Sequence, residues 1–476
     1  MRVLLVKPRP RLATVKGLQR FYRLEPLELG YLAAVVPARH RVEVLDLRLV
    51  RWARRAFLRK LGTARPDLVA FTGYSHESSE VKDLAPLVRL HLPGARVVVG
   101  GHHATVMPED YDIPSIDAIV RGEGCAPFGA ILDRVERREG LAGIPQVLLP
   151  GAGFDREAAQ GWPVFPDPAT LPIPRRDLWD HRDYFGVWVT EQMPNWTSLF
   201  PPVSIVRTSF GCKMKCSFCV VPHLYGGQHR PRPVESVVEE IAALPTQHVY
   251  FSDDENFIDE EFALALAEGL EHAGVRKRYF AWTRSTTVLR SPELFRRWRE
   301  IGLDGAFLGF EFPTDEELRE AGKGATVAAN ERALDRLREA GVAVHAAFMV
   351  RPEHTEAHFA RLHAYIEGLP PVQCSFTVCT PSPGTADYEQ IRGSICTDRP
   401  YELHDCMHPL TPTALPLRQF CSLFARQVHD AGKKNPLRCK PQPVRPWDTL
   451  RAIGSESLYE RAFRRMYHDY PAELWQ

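Results

Sequence analysis

No uninterrupted apolar stretch among the 476 residues reaches the ~18 to 20 that a helix needs to cross a bilayer. The opening MRVLLVKPRPR turns basic too soon for a signal peptide, so the sequence predicts a cytoplasmic protein. Neither sign of charge is in excess. Sixty Lys and Arg against 59 Asp and Glu leave a formal net charge of +1, which removes the bulk electrostatic argument for a nucleic-acid partner. Low-complexity tracts and repeats of about 20 to 50 residues are also missing. A content of 44% hydrophobic and 25% charged residues excludes disordered, collagen-like and coiled-coil classes. What is present is an ordinary globular composition on a chain long enough for about three domain-sized units.

Through residues 1–150, short β-branched runs alternate with amphipathic stretches. RVLLV (2–6), VEVLDL (42–47), LVAFTG (68–73), RVVVGG (96–101) and DAIVRGEG (117–124) read as strands buried on both faces. LELGYLAAVV, residues 52–62 and EVKDLAPLVRLHL, apolar at spacings of three and four, read as the helices between them. This repetition predicts an α/β fold with a doubly wound, Rossmann-like parallel sheet, whose ligand lies at the carboxyl ends of the strands. The G-x-G-x-x-G fingerprint does not follow the first strand, so a dinucleotide is not the expected ligand.

Residues 151–200 are rich in proline and tryptophan without periodicity, which predicts a linker wrapped over a surface. From 201 to 385 the alternation resumes. VSIVRTS (203–209), HVYFSDDE (248–255), RYFAWTRS (278–285), GAFLGFEF (305–312), VAVHAAFMV (342–350) and CSFTVCT (374–380) are read as strands, separated by helices that often close on glycine. Six such units predict a partial (βα)6 barrel with its reacting groups at the strands' carboxyl ends. Residues 386–476 read as a mostly helical region. There LRQFCSLFARQVH sets Leu417, Phe420, Phe424 and Val428 on one face with Cys421, a face fit either for the core or for a lipid.

Ten cysteines with no sign of secretion point to metal or catalysis rather than cross-linking. Three fall within eight residues, Cys212, Cys216 and Cys219 in Phe210-Gly211-Cys212-Lys213-Met214-Lys215-Cys216-Ser217-Phe218-Cys219, directly after the first strand of the second region. Structural zinc takes four closed ligands, whereas a [4Fe-4S] cluster held by three thiolates keeps one iron open. A zinc knuckle completed by His223 or a distant residue is the other reading.

With this motif the chain resembles the radical S-adenosylmethionine (SAM) enzymes over residues 200 to about 385. The resemblance implies that Cys212, Cys216 and Cys219 hold the cluster, that SAM chelates the fourth iron, and that Phe218 lies near the adenine. It also assigns cofactor contacts to Asp254 and Glu255 in SDDE (252–255), to Arg284 and to Glu311, and it extends to TPSPGT (380–385). For each carboxylate a helix cap or surface ion pair is the alternative. FMVRPEHT (348–355) departs from the family's glycine-rich segment on the fifth strand.

The first region resembles the cobalamin-binding domain of one branch of that superfamily. The matching residues are RLEPLELGYLAAVV, FTGYS with Gly73 and Tyr74, the Gly100-Gly101-His102-His103 segment, and RGEG with Glu123. The resemblance implies cobalamin as a third cofactor. The family's D-x-H-x-x-G after the first strand is missing, since the first histidine is His40, so no lower axial histidine is expected.

Together the two halves imply a cobalamin-dependent radical SAM methyltransferase acting on an unactivated carbon. Within this branch the chain is similar to hopanoid C-3 methylases in FYRLEPLELG, QHRPRPVESVVEEIAALP and DCMHPLTPTALPLRQF (405–420). A radical cyclase would share both domains and is the alternative. A tRNA methylthiotransferase would need a second cysteine trio upstream, where only Cys125 stands. An electron carrier would have no use for an open iron site beside a barrel. The expected partners are a small-molecule or lipid substrate and an external electron donor, with no nucleic acid. The basic residues from Lys433 to Arg451 face either membrane headgroups or solvent. Tyr225, His223, His229, Cys374, Cys379 and Cys406 are candidates to face the cavity.

Overall fold

The computed structural model describes residues 1–191, 198–397, 401–435 and 444–475. Six strands form the first sheet: β1 (Arg2–Lys7), β2 (Arg41–Asp46), β3 (Leu68–Thr72), β4 (Arg96–Gly100), β5 (Ala118–Val120) and β6 (Val147–Leu148), in the order β2-β1-β3-β4-β5-β6. All pairings are parallel except β5 with β6. The two-sided burial expected of a doubly wound sheet is visible within one strand. Leu4 and Val6 of β1 enter one apolar cluster with Phe57 and Leu84, while Val3 and Leu5 enter another with Leu29 and Ile131. Sequence reasoning overextended β5, which stops at Val120 because Gly122 takes a φ of +72° and turns the chain.

The second sheet runs β7 (Val203–Val206), β10 (His248–Phe251), β11 (Arg278–Thr283), β12 (Leu303–Glu311), β13 (Ala343–Val350) and β14 (Gln373–Val378), each parallel to the next. Side chains alternate between two cores here as well. Val206, Phe251 and Tyr279 pack outward under the helices, whereas Ile205, Tyr250 and Phe280 turn inward with Trp188. Tyr250 and Phe280 stack at 4.9 Å within this inner cluster. The expected strand 203–209 is in fact two. After β7 the chain turns into β8 (Ser209–Phe210), which pairs antiparallel with β9 (Arg230–Pro231) and frames the cysteine loop.

The Pro-rich segment is packed in its described part. Tyr184 and Trp188 are buried; the Tyr184 hydroxyl donates to Asp46 at 3.1 Å and the Trp188 indole to Asp304 at 2.8 Å, so the strap ties the first sheet to the second. Part of EQMPNWTSLFPP and part of the basic Lys433–Arg451 run lie outside the described residues. On the helix Leu417–Gly432, residues Leu417, Phe420, Cys421 and Phe424 are all buried in the barrel's outer core, with Val428 packed against it. That face therefore serves packing.

In the C-terminal region a buried His408 stands between Asp405 (Nδ1 to both carboxylate oxygens, 3.0 Å) and Asp469 (3.3 Å), and Asp405 also accepts from Thr14 at 2.7 Å. Burial opposes its charge, but the two carboxylates raise the imidazole to about 9 from 6.5. A folded-state pKa above the unfolded one stabilises fully below pH 6.5 and ceases to do so as pH rises through 9. Thermal stability is expected to fall between pH 6.5 and 9 by on the order of 3 kcal/mol from this group. A His408→Gln variant should show a flatter profile over that window in melting experiments.

Candidate functional site

The cysteine loop is positioned by two adjacent aspartates at the carboxyl end of β10. Buried Asp253 accepts from Thr208 N (3.0 Å), Thr208 Oγ1 (2.8 Å), Ser209 Oγ (2.6 Å) and Ser209 N. Burial nonetheless pushes its carboxyl upward. Asp254 accepts from Gly211 N at 2.9 Å and pairs with Arg207. Gly211 has a φ of +86°, and a Cβ there would lie 2.8 Å from Tyr225 Cβ and overlap the carbonyl of Gln228. Only glycine lets the loop fold back onto β9.

Within that loop Cys212 and Cys216 are buried and Cys219 is partly so. Burial pushes the Cys219 thiol up to about 12 and raises Cys212 as well. Three thiolates in such a place need a cationic centre, which an iron-sulfur cluster supplies on binding. The donor set fits: all three sulfurs come from one short loop, and Arg284 at the end of β11 brings Nη1 to 3.5 Å from Cys216 Sγ. Among the described residues, no three His, Cys, Asp or Glu side chains gather closely enough to hold a single metal ion. A cluster instead takes each thiolate on a different iron.

The other barrel residues singled out from sequence divide into two surroundings. Glu255 is buried, its Oε1 accepting from Thr283 at 3.0 Å and its Oε2 without a hydrogen-bond partner; burial raises its carboxyl to about 7. It faces Arg284, whose other terminal nitrogen donates to the Lys323 carbonyl. Glu311 ends β12 with a φ of +64° and is held by Lys323 Nζ at 2.5 Å. Phe218 faces a separate cavity of about 240 Å³ shared with Phe312, Arg351 and Cys379. Where the family's glycine-rich segment would lie, Arg351 covers the Phe312 ring at 4.6 Å and pairs with Glu320 at 2.8 Å.

A larger cavity of about 530 Å³ opens between the carboxyl ends of the first sheet and the cysteine loop. Gly73, Tyr74, Gly100, Gly101, His102 and Glu123 all line it together with Leu27, Glu28 and Tyr31, so four segments separated in sequence meet at one place. Gly101 has a φ of +91°, and a Cβ would come within 2.6 Å of Thr72 Oγ1 and 3.0 Å of Gly73 N. Glycine there lets the loops after β3 and β4 pack against each other and so shapes a cavity with room for a large cofactor such as cobalamin. Burial, helped by neighbouring His103 and His76, pushes the His102 imidazole down to about 4, which keeps it neutral. His103 points elsewhere, buried between Ser75 Oγ (3.1 Å) and Asp110 Oδ2 (3.0 Å), and so belongs to the packing of the domain.

Several wall residues escaped sequence reasoning. Lys7, buried at the end of β1, is held by Glu77 at 3.1 Å and Glu28 at 3.3 Å and lies 4.9 Å from the Tyr74 ring. A lysine closing an apolar strand was the available signal. From the barrel side come Arg207, Phe210, Tyr225, Ser252 and Asp254, with the Arg207 guanidinium 4.7 Å from the Phe210 ring. Of the candidates for facing the cavity, Tyr225 lines the large one and Cys379 the small one, Cys406 is exposed, and His223 stands 5.5 Å from Trp162.

Comparison with known proteins gives two family matches, the radical SAM superfamily over residues 206–366 and the B12 binding domain over residues 14–132. The chain is 30% identical over 464 residues to a hopanoid C-3 methylase of Methylococcus capsulatus, covering 96% of this chain and 84% of that one. It is 28% identical over 304 residues to an anaerobic magnesium-protoporphyrin IX monomethyl ester cyclase of Rubrivivax gelatinosus, covering 63% and 53%. Among solved structures, the radical SAM methyltransferase TsrM of Kitasatospora setae, determined with cobalamin and a [4Fe-4S] cluster, matches with a TM-score of 0.66 at 18% identity, covering 98% and 99%.

Proposed function

The chain belongs to the cobalamin-binding radical SAM methyltransferases, and from that premise we propose that it methylates an unactivated ring carbon of a hopanoid at C-3. What supports this substrate is that the similarity to the Methylococcus enzyme runs through nearly the whole chain instead of stopping with the shared cofactor domains. When bound, the cluster and SAM supply a 5′-deoxyadenosyl radical, and methylcobalamin supplies the methyl group.

The chain's own residues hold, orient and insulate. Cys212, Cys216 and Cys219 are assigned to the cluster, with the Arg284 guanidinium beside Cys216 offsetting thiolate charge. The unpartnered Oε2 of Glu255 supports its assignment to a cationic amine of SAM, and Phe218, which lines the smaller cavity, is assigned to the adenine. Asp254, read from sequence as a contact to SAM, is already engaged by Arg207 and Gly211 N; its role in this scheme is to position the loop. Gly73, Gly100 and Gly101 are assigned to cobalamin as backbone contacts, with Tyr74, His102 and Glu123 in the same cavity wall, and Glu311, paired with Lys323, is assigned to the SAM side of the barrel. An external one-electron donor completes the cycle.

The test is anaerobic reconstitution with iron, sulfide and hydroxocobalamin, then incubation with methyl-deuterated SAM, reductant and a hopanoid. Mass spectrometry should find one deuterated methyl on the first ring. A reconstituted protein that makes deoxyadenosine but leaves the hopanoid unlabelled would overturn the substrate. The partial similarity to the Rubrivivax cyclase favours a second reading, radical cyclisation, and a product that gains a ring but no deuterium would identify it.

A further inference from the structure

No helix among the described residues is long and apolar enough to cross a membrane, yet one helix is polarised the wrong way for a water-facing surface. Pro446–Arg465 presents Trp447, Leu450, Ile453 and Leu458 to solvent, at 80%, 60%, 52% and 43% exposure. These are four of the ten large apolar side chains exposed among the described residues, all on one helix. At about 100° per residue they fall on a single stripe. The inward face carries both polar and aromatic groups. Asp448 accepts from Ser198 Oγ at 2.7 Å and Leu199 N at 2.9 Å, and Ser455 is buried. Tyr459 and Phe463 hold the same side down, Tyr459 against Gly17 and Phe21. The helix is therefore committed to the body on one side and cannot roll to hide the stripe.

Charge continues the pattern. Arg461, Arg464 and Arg465 are exposed at the C-terminal end of the same face. The acidic residue beside them, Glu460, sits at the flank, taken up by His429 at 3.0 Å and Arg464 at 2.8 Å. An apolar stripe with tryptophan at one end and arginines at the other is the pattern of a helix lying in a lipid interface. Four side chains on a convex helix are far too few for a stable protein dimer, which needs about 800 Å² per partner.

We propose that this face seats the enzyme on an anionic bilayer, the four apolar side chains entering the acyl boundary and the arginines meeting lipid phosphates. The choice of a lipid surface rests on the hopanoid reading, because such a substrate resides in membrane. The test uses the reconstituted full chain and vesicles of phosphatidylcholine with or without phosphatidylglycerol, free of hopanoid. Wild type should sediment with the anionic vesicles. The triple variant W447S/L450S/I453S should bind more than about tenfold less, and R461Q/R464Q/R465Q should lose about tenfold on the anionic vesicles alone. Both should keep wild-type deoxyadenosine formation, which verifies their fold. Equal sedimentation of wild type and the triple variant overturns the proposal. So does a wild-type dimer in solution that the triple variant dissociates, since a second copy would then own the stripe. Vesicle binding without hopanoid labelling removes only the substrate reading, and labelling in detergent without vesicle binding removes only the docking surface.

Discussion

Replacing Cys216 by Ala brings deoxyadenosine formation by the reconstituted protein to background and leaves cobalamin uptake close to that of the unaltered chain. A cluster with two remaining thiolates loses its anchorage, and no other Cys or His among the described residues joins Cys212 and Cys219 in a metal-holding group. The backbone should survive. The loop is held by Asp253, Asp254, Gly211 and the β8–β9 pairing, and the Cys216 thiol contributes a hydrogen bond with Arg284. Iron and sulfide analysis and chromatography of SAM products read the first effect; absorbance of cobalamin co-eluting with the protein reads the second. The converse substitution, Gly101→Ala, forces a Cβ against Thr72 and Gly73 at a positive φ, and it should lower cobalamin uptake while the cluster still assembles. One coupling is built in. Val220, Val221, Leu224 and Tyr225, which follow the last cysteine, form part of the wall of the larger cavity, assigned above to cobalamin. If Cys216→Ala removes cobalamin along with iron, that wall depends on the cluster and the two sites do not load separately.

Much of the fold was legible because strand and helix periodicities are local properties. Each of the eleven strands read from sequence overlaps a strand of the structure, and the glycines and cysteines assigned to sites stand at strand ends, where the α/β topology collects ligands. What was not legible depends on contacts distant in sequence. The antiparallel β6 is two residues long, too short for any periodicity. The split between β7 and β8 is imposed by Asp253, which lies 44 residues from Ser209. Asp254 and Glu255 are adjacent and looked equivalent, but one meets Arg207 while the other is left with a bare oxygen in a buried setting. His102 and His103 differ in the same manner, one lining the cavity and the other sealed between Ser75 and Asp110. Adjacent residues on a turn point apart, and which of the two meets the ligand is settled by the partner element.

The same dependence on distant partners governs the junction of the two halves, where Glu240→Ala is expected to be the most destabilising single change considered. Glu240 is 1% exposed and accepts from Arg232 Nη1 at 2.6 Å and from Arg176 Nη2 at 2.7 Å. Arg176 in turn reaches Glu25 at 3.0 Å, and Glu25 also takes Trp179 Nε1 at 3.0 Å and Ile205 N at 2.8 Å. This network of two arginines and two glutamates, neutral in sum, joins the entry to the helix Leu27–Ala34, the Pro-rich strap and the barrel. Removing Glu240 leaves Arg176 with Glu25 but takes from the buried Arg232 its carboxylate partner, an unpaired charge that costs roughly 3 to 5 kcal/mol. Against a whole stability of about 5 to 15 kcal/mol, that is enough to populate states in which the first sheet detaches. Limited proteolysis should then cut within residues 151–200, and the thermal transition should broaden or divide, since the two halves no longer unfold together. Substituting Arg232 and Glu240 together, by Met and Leu, removes opposite charges in equal number and should restore much of the loss. If the double variant is as unstable as Glu240→Ala, the cost lies in packing rather than in unpaired charge, and the electrostatic account of the junction is wrong.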